Sequence, residues 1–289
     1  MDDQRYSNLK LGERGAMISI AAYIILSALK LFIGNIGNSE ALTADGLNNA
    51  TDILASVSVL IGLRLSQKPA DENHHYGHWK AEMVASMVAS FIMIIVGFQV
   101  LVGAVTSIFD GVSEPPDMIA AWTGIFSALV MYFVYRYNKR LAQKIKSQSV
   151  MAAAKDNMSD SLVSIGTAIG IIGSQFNVPW LDPLTAVIVG LLILKTGWGI
   201  FRDASHHLTD GFDQDLISEY KETIFEIPEV KGINDLKARS YGNNIVVDVV
   251  ITVDSSLAIG DAHDISTKVE ERLMEDYEIY DVHVHVEPD

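Results

Sequence analysis

Two pairs of oxygen-bearing side chains lie inside otherwise apolar stretches of the chain: Asp45 with Asn49, and Asp156 with Asp160. The members of each pair are four residues apart, so in a helix both lie on one face. Ionisable groups at bilayer depth are costly and usually mark the path of an ion or a proton. Two helices that each present two oxygen ligands can close a four-ligand site, which predicts a carrier of divalent cations.

The structural alternative for each pair is a polar contact between helices, in which Asn and Ser side chains hold the helices together. Two pairs with the same spacing favour the ligand interpretation over that alternative. The spacing also bears on Asn48 and Asn49, because only Asn49 lies four residues from Asp45. Periodicity alone leaves open which of the two amides faces inward, and Asp52 falls on the same helical stripe.

A second group of potential ligands lies in the segment PADENHHYGH, residues 69–78. Its three His and two carboxylates, within eight residues, can bind a metal, since imidazole and carboxylate ligands suit several transition metals. An ordinary solvated loop at a membrane surface accounts for the same residues equally well.

A third group lies near the end of the chain and comprises Asp248, His263, His283, His285 and Glu287. In the last predicted strand, valines alternate with His283, His285 and Glu287, so these three share one face. For His283 an ordinary solvent-facing position is the better interpretation. For His285 and Glu287 both interpretations stay open.

The charge of the chain is concentrated after residue 202. This part holds 21 acidic and 6 basic residues, whereas residues 1–202 hold 15 of each, so it carries the whole net charge of -15. Such acidity argues against nucleic acid and anionic lipid as its partners and is compatible with cations. The chain has no cysteine, which excludes disulfides and thiolate metal sites. The first ten residues are polar and lack the pattern of a cleavable signal.

Six segments are long and apolar enough to span a bilayer core of about 30 Å. They lie near 14–36, 40–65, 81–109, 116–137, 148–175 and 183–201. The connections at 35–39, 110–117 and 174–182 contain no Lys or Arg, whereas the other connections and the N-terminal segment hold Lys and Arg residues. The positive-inside rule therefore predicts that both termini are cytoplasmic. Buried helices of a soluble protein are the alternative, but they rarely show this alternation of charge.

The acidic part is predicted to form a small α+β domain, so the chain divides into residues 1–208 and 209–289. Helices are predicted at 213–226 and 261–276, and strands at 232–240, 245–253 and 282–286. The turn between the first two strands is predicted at Gly242-Asn243-Asn244.

Over nearly its whole length the chain resembles the cation diffusion facilitator family. The resemblance rests on the two four-spaced pairs, the PADENHHYGH segment and the short acidic α+β tail. It implies a homodimeric carrier with six transmembrane helices and a ferredoxin-like, metallochaperone-like cytoplasmic domain. It also implies export of Zn²⁺, Mn²⁺, Fe²⁺, Co²⁺ or Ni²⁺ from the cytoplasm, generally in exchange for protons.

The same resemblance assigns the residues. It implies a transport site at Asp45, Asn49, Asp156 and Asp160, a loop site at Asp71, His74 and His78, and a tail site at Asp248, His263, His285 and Glu287. It further implies an ion pair between Lys80 and Asp210. The chain departs from the zinc-type pattern, because its membrane pairs contain no His and because Asn234 and Asp248 stand where zinc-type members often carry His.

Together these observations predict an integral protein of the cell membrane that transports a divalent cation and is not an enzyme. The metal is its substrate, and no cofactor is expected. Oxygen ligands alone favour Mn²⁺, with Fe²⁺ or Zn²⁺ as alternatives within the family. Three carboxylates around an emptied site repel one another, so at least one is expected to take up a proton. An intramembrane aspartyl protease and a metal sensor that does not transport are the alternatives from other classes.

Overall fold

The computed structural model describes residues 2–66, 68–110, 115–145, 148–176, 178–241, 244–277 and 279–289. These residues divide into two compact units, one formed by 1–57 with 89–199 and the other by 58–88 with 200–289. Within the described residues, the chain forms the following helices and strands: α1 (Asp2–Ile36), α2 (Glu40–Ser66), α3 (Ala81–Asp110), α4 (Met118–Ile145), α5 (Gln148–Ser174), α6 (Leu181–Leu208), α7 (Gln214–Phe225), β1 (Gly232–Tyr241), β2 (Asn244–Val253), α8 (Ile259–Tyr277) and β3 (Asp281–Pro288).

Three helices are longer than the apolar segments predict. Helix α1 begins at Asp2 instead of Arg14, α4 ends at Ile145 instead of Tyr137, and α6 ends at Leu208 instead of Phe201. The added turns are rich in polar and charged residues. A helix satisfies its backbone hydrogen bonds internally and so continues past its apolar part. Gly242 and Asn243 of the predicted turn, and Lys146 of the basic connection, lie outside the described residues.

In the described residues, four helices are long and apolar enough to cross a membrane: α1 from Arg14, α3, α4 as far as Lys144, and α6. Helices α2 and α5 fall outside this group. Both are 27 residues long, but they carry the aspartates and asparagines that the sequence singles out. The aspartates and asparagines that are candidate metal ligands also lower the mean hydropathy of these two helices.

Small side chains hold the helices of the first unit together. Ala44 of α2 packs with residues of α3 and α6, among them Ala104 and Ala186. Ala41, with Ala120 and Ala121 of α4, forms a second cluster that also includes a residue of α5. Small residues let helix backbones approach closely where no hydrophobic effect drives them together.

Helices α1 and α2 approach each other closely beside Asp45. A Cβ atom added at Gly46 would lie 3.1 Å from the backbone nitrogen of Leu31. The Ser27 hydroxyl donates a hydrogen bond to the Gly46 carbonyl oxygen across the same gap, at 2.9 Å. Glycine at position 46 therefore lets α1 bring its side chains next to those of Asp45.

The second unit contains a three-stranded sheet, in the order β1-β2-β3, within the described residues. Strands β1 and β2 are antiparallel, whereas β2 and β3 are parallel. Parallel neighbours need a crossover, which α8 provides. Side chains of α7, α8 and the sheet, such as Ile224, Leu273 and Ile251, form its buried core. The predicted combination of a helical domain with a small α+β unit is confirmed at this level.

Candidate metal centre

The first predicted pair, Asp45 and Asn49 on α2, is completely buried around a lysine from α1. The Nζ atom of Lys30 lies 2.9 Å from Asp45 Oδ1, and both side chains have no exposed surface. Lys30 also donates hydrogen bonds to Asn49 Oδ1 at 2.6 Å and to Ser164 Oγ at 2.9 Å. One ammonium group thus contacts both members of the α2 pair and a side chain of α5.

Asp160 of the second pair is also buried, and it has partners of its own. The Tyr23 hydroxyl donates to Asp160 Oδ2 at 2.6 Å, and Asn48 Nδ2 donates to Oδ1 at 3.2 Å. Both asparagines therefore contact side chains of other helices. Asn49 contacts Lys30, and Asn48 contacts Asp160.

A chain of buried hydrogen bonds continues from Tyr23 to three more polar side chains. Asn157 Nδ2 donates to the Tyr23 hydroxyl at 3.0 Å. The Asn157 Oδ1 atom accepts from Ser19 Oγ at 3.1 Å and from Asn138 Nδ2 at 2.9 Å. These contacts connect α1, α4 and α5, so they fix the hydroxyl that holds Asp160.

Asp156 differs from the other three predicted ligands because it is exposed, one turn before Asp160 on α5. Asp52, half-buried on α2, has a buried Oδ2 atom without a hydrogen-bond partner in the described part of the chain. Asp45, Asp156 and Asp160 do not form a group of ligand atoms within 4.8 Å of one another. The structure thus gathers Asp45 and Asn49 around the Lys30 ammonium, and the three carboxylates of the two pairs do not converge on one point.

The loop residues do form such a group. The ligand atoms of Asp71, His74 and His78 lie within 4.8 Å of one another, the one cluster of this kind in the described residues. His74 Nδ1 is 3.0 Å from Asp71 Oδ1, and His78 Nε2 is 3.6 Å from Asp71 Oδ2. The hydrogen bond from His74, with a backbone N–H bond from Asn73, holds the pKa of Asp71 below its usual value. Two imidazoles and a carboxylate in this geometry can bind a transition metal.

The four tail residues are divided among different contacts. Asp248 forms an ion pair with Arg239 at 3.0 Å. His263 and Glu287 line the same surface cavity of about 360 Å³. Glu287 accepts a hydrogen bond from Asn234 at 2.7 Å and lies 3.8 Å from His285 Nε2. Glu287 thus contacts His285 and shares a cavity with His263, but within the described residues these three do not bring their ligand atoms within 4.8 Å of one another, and Asp248 is paired with a guanidinium group.

Lys80 and Asp210, the predicted ion pair, are in contact within the second unit. Lys80 Nζ lies 2.7 Å from Asp210 Oδ1, with side chains 32% and 53% exposed. The same ammonium lies 5.0 Å from the ring centroid of Tyr241. Asp210 has a φ of 59°, a left-handed conformation that Asp and Asn adopt more readily than most residues.

Family models match both parts of the chain. The cation efflux transmembrane domain matches residues 16–209, and the cation efflux protein cytoplasmic domain matches residues 212–289. The chain belongs to the cation efflux family. Members of this family are transporters, so the chain is a membrane transporter and not an enzyme, and its second domain is cytoplasmic.

Curated relatives agree with this assignment. The manganese efflux system protein MneS of Bacillus subtilis is 58% identical over 99% of this chain and 98% of its own length. The magnetosome protein MamM of Paramagnetospirillum magneticum is 33% identical over 88% of this chain and 80% of its own. A solved structure of the MamM C-terminal domain, in a nickel form, is 26% identical with a TM-score of 0.26, covering 27% of this chain and 99% of that one.

Sequence reasoning missed Lys30, Tyr23 and Asn157. Lys30 had a detectable signal, because a single lysine in the middle of an apolar helix is costly and usually functional. Tyr23 and Asn157 had none, since either residue is common at polar contacts between membrane helices.

Proposed function

We propose that this protein exports a divalent cation, preferentially Mn²⁺, from the cytoplasm across the cell membrane in exchange for protons. The observation that carries the proposal is the buried set of Asp45, Asn49 and Asp160 inside the transmembrane domain of a cation efflux family member. The name of MneS, a manganese efflux system protein 58% identical to this chain, supports the choice of metal.

The transport site consists of Asp45, Asn49, Asp156 and Asp160. The half-sites on α2 and α5 come together on one ion during transport, and Asp156 turns inward from its exposed position. Three carboxylates and one amide are hard oxygen ligands, which suit Mn²⁺ better than the imidazole and thiolate that Zn²⁺ prefers. Most ligand sets nevertheless bind Zn²⁺ more tightly than Mn²⁺, so selectivity comes from geometry and metal availability. Fe²⁺ is the second candidate and Zn²⁺ the third.

Proton exchange follows from the same charges. When the metal leaves, clustered carboxylates in a site of low dielectric repel one another, and uptake of at least one proton relieves the repulsion. The site is accessible alternately from each side of the membrane. An inward proton gradient therefore accelerates metal export.

Six helices span the bilayer, with α2 and α5 included because Asp45, Asn49 and Asp160 are buried against other helices and not exposed to lipid. Both termini are cytoplasmic, because the Lys and Arg residues of the connections lie on the same side of the bilayer as the termini. The domain boundary lies at residue 208, and residues 209–289 form a ferredoxin-like domain through which two copies make a homodimer. The cytoplasmic-domain family model that matches residues 212–289 supports this arrangement.

The loop and tail sites regulate transport and do not carry the metal. Asp71, His74 and His78 form the loop site, and His263, His285 and Glu287 with Asp248 form the tail site. Both groups are largely exposed, where a metal exchanges readily with the cytoplasm. The pair of Lys80 and Asp210 links the loop region to the start of the tail.

Two alternatives are less consistent with the contacts. An intramembrane aspartyl protease needs two carboxylates that share a proton, whereas Asp45 contacts Lys30 and Asp160 accepts from Tyr23. A sensor that does not transport needs no buried ligands within the transmembrane domain.

Competition transport in proteoliposomes tests the proposal. Vesicles holding the purified protein are given Mn²⁺ against equal concentrations of Fe²⁺, Co²⁺ and Zn²⁺, with and without a pH gradient at clamped membrane potential. We expect Mn²⁺ transport that the gradient accelerates. Efficient Zn²⁺ transport with little Mn²⁺ transport would contradict the choice of metal, and flux indifferent to the gradient would contradict proton exchange.

A further inference from the structure

Lys30 is the buried cation nearest to the proposed metal ligands. Its side chain is completely buried, and its Nζ atom lies 2.9 Å from Asp45 Oδ1 and 2.6 Å from Asn49 Oδ1. We propose that Lys30 is a tethered cation that competes with the transported metal for Asp45 and Asn49. This inference rests on the proposed function, because it assumes that these two residues bind the metal.

The contacts of the ammonium are those that a bound metal needs. Asn49 has a single carbonyl oxygen, and that atom accepts the hydrogen bond from Lys30. Metal binding to the same oxygen places a dication close to an ammonium in a completely buried site, where like charges repel strongly. The two cations therefore exclude each other from the α2 pair.

The structure also offers the displaced ammonium a place to go. Lys30 already donates to the Ser164 hydroxyl at 2.9 Å, and Ser164 lies on α5, one turn after Asp160. A metal that takes Asp45 and Asn49 leaves this contact intact. The lysine then moves toward Ser164 and remains buried beside the site.

Formal charges fit this exchange of partners. The proposed ligands include three carboxylates, and a dication together with one ammonium carries three positive charges. Without Lys30, the loaded site has a surplus negative charge in a medium that penalises it. In the metal-free carrier, the ammonium occupies the position between Asp45 and Asn49 and so reduces the repulsion during the return step.

A purely structural ion pair predicts different behaviour. Breaking a buried pair by removing one partner leaves an uncompensated charge and destabilises the fold. Such a role gives Lys30 no reason to oppose metal binding. Under the competition proposal, the carboxylate released by loss of Lys30 is available to the metal, and affinity rises.

Two substitutions are expected to change metal affinity in opposite directions. Lys30→Gln removes the competing charge, so Mn²⁺ should bind roughly tenfold more tightly, while turnover at saturating Mn²⁺ falls because the empty site has lost its internal cation. Ser164→Ala removes the alternative partner of the ammonium, so Lys30 holds Asp45 and Asn49 more firmly and Mn²⁺ binds more weakly.

The experiment measures equilibrium Mn²⁺ binding in detergent and KM and kcat for transport in proteoliposomes. The loop site is removed by replacing Asp71, His74 and His78 with Ala, and the tail site by replacing His263, His285 and Glu287 with Ala. Lys195→Gln is the matched control, since Lys195 is an exposed lysine of α6 in the same domain. It should leave affinity unchanged. Asp160→Ala serves as the reference that must lose binding.

Tighter binding in Lys30→Gln together with weaker binding in Ser164→Ala supports the competition. Unchanged or weaker binding in a folded Lys30→Gln variant overturns it. If Lys30→Gln does not fold, Ser164→Ala decides alone, because unchanged or tighter binding there also overturns the proposal. If Asp160→Ala binds Mn²⁺ normally, the proposed transport site is wrong, which is a separate failure from that of Lys30.

Discussion

The helices of the transmembrane domain and the loop after α2 both gather side chains of types that can bind a metal, but the charges are buried in the first and exposed in the second. Asp45 and Lys30 have no exposed surface, whereas the side chains of Asp71 and His74 are 51% and 53% exposed. The loop nevertheless has the tighter ligand geometry, with all its ligand atoms within 4.8 Å of one another. The closer group of ligand atoms is therefore the exposed one, and the buried carboxylates are farther apart.

The two groups differ because the loop residues are exposed to solvent and the helix residues are buried. Water screens the charges of the loop, so its residues can approach one another at little cost whether or not a metal is present. Between the helices, each charge needs a partner because desolvation is expensive. The buried groups accordingly have specific partners, such as Lys30 for Asp45 and Tyr23 for Asp160.

The largest expected effect is the loss of Mn²⁺ transport when a buried carboxylate is removed. Asp45→Ala or Asp160→Ala should abolish Mn²⁺ transport in proteoliposomes, since a dication at low dielectric needs its anionic ligands. Asn49→Ala should be milder, because an amide carries no charge to replace. Asp203→Ala, at an exposed aspartate of α6, is the control and should transport normally. Transport at the wild-type rate and affinity in Asp160→Ala would show that the site has been assigned to the wrong residues.

The second prediction introduces imidazole ligands, which the loop already has, into the proposed transport site within the membrane. Replacing Asn49 and Asp156 together by His should raise the ratio of Zn²⁺ to Mn²⁺ transport by roughly tenfold, because Zn²⁺ prefers imidazole ligands. The measurement is paired Zn²⁺ and Mn²⁺ uptake in the same vesicles. Asn48→His is the control, since Asn48 contacts Asp160 and is not among the proposed ligands. An unchanged ratio in the double variant would mean that these two positions do not contact the metal.

The predictable part of this molecule follows from periodicity. The apolar segments predict most helix ends to within a few residues. The four-residue spacing correctly places Asp45 and Asn49 on one buried face of α2. Spacing along one helix does not specify which side chains of other helices meet that face. For this reason the contact of Lys30 with Asp45 could not be predicted, although a lone lysine inside the apolar helix α1 was itself a detectable signal. The exposed position of Asp156 was equally unpredictable, because it depends on how α5 packs.

The third effect is small and concerns the loop. His74→Ala should change the apparent Mn²⁺ affinity by no more than a few-fold, because an exposed cluster contributes little to binding by buried ligands. Uptake measured over a range of Mn²⁺ concentrations gives this value. His75→Ala, at a neighbouring exposed histidine outside the cluster, is the matched control. If His74→Ala abolished transport as Asp160→Ala does, the distinction between a carrying site and a regulatory site would collapse.

The smallest effect concerns Lys80 and Asp210, whose ion pair is partly exposed. Such pairs contribute about 0–1 kcal/mol, so Lys80→Gln and Asp210→Asn should each lower the thermal stability of the detergent-solubilised protein slightly. Asn is chosen because it tolerates the positive φ at position 210, whereas a charge reversal to Lys there adds backbone strain. The double variant should be no less stable than the less stable of the two single variants, since each change already removes the ion pair.

The tyrosine beside Lys80 supplies the remaining control. Because Lys80 also lies near the ring of Tyr241, Lys80→Gln loses a cation–π contact that Asp210→Asn keeps. The effect of Lys80→Gln should therefore exceed that of Asp210→Asn, and Tyr241→Leu should reduce this excess. Additive losses in the Lys80 and Asp210 double variant would mean that the two side chains act independently, and that their contact does not couple the loop region to the start of the tail.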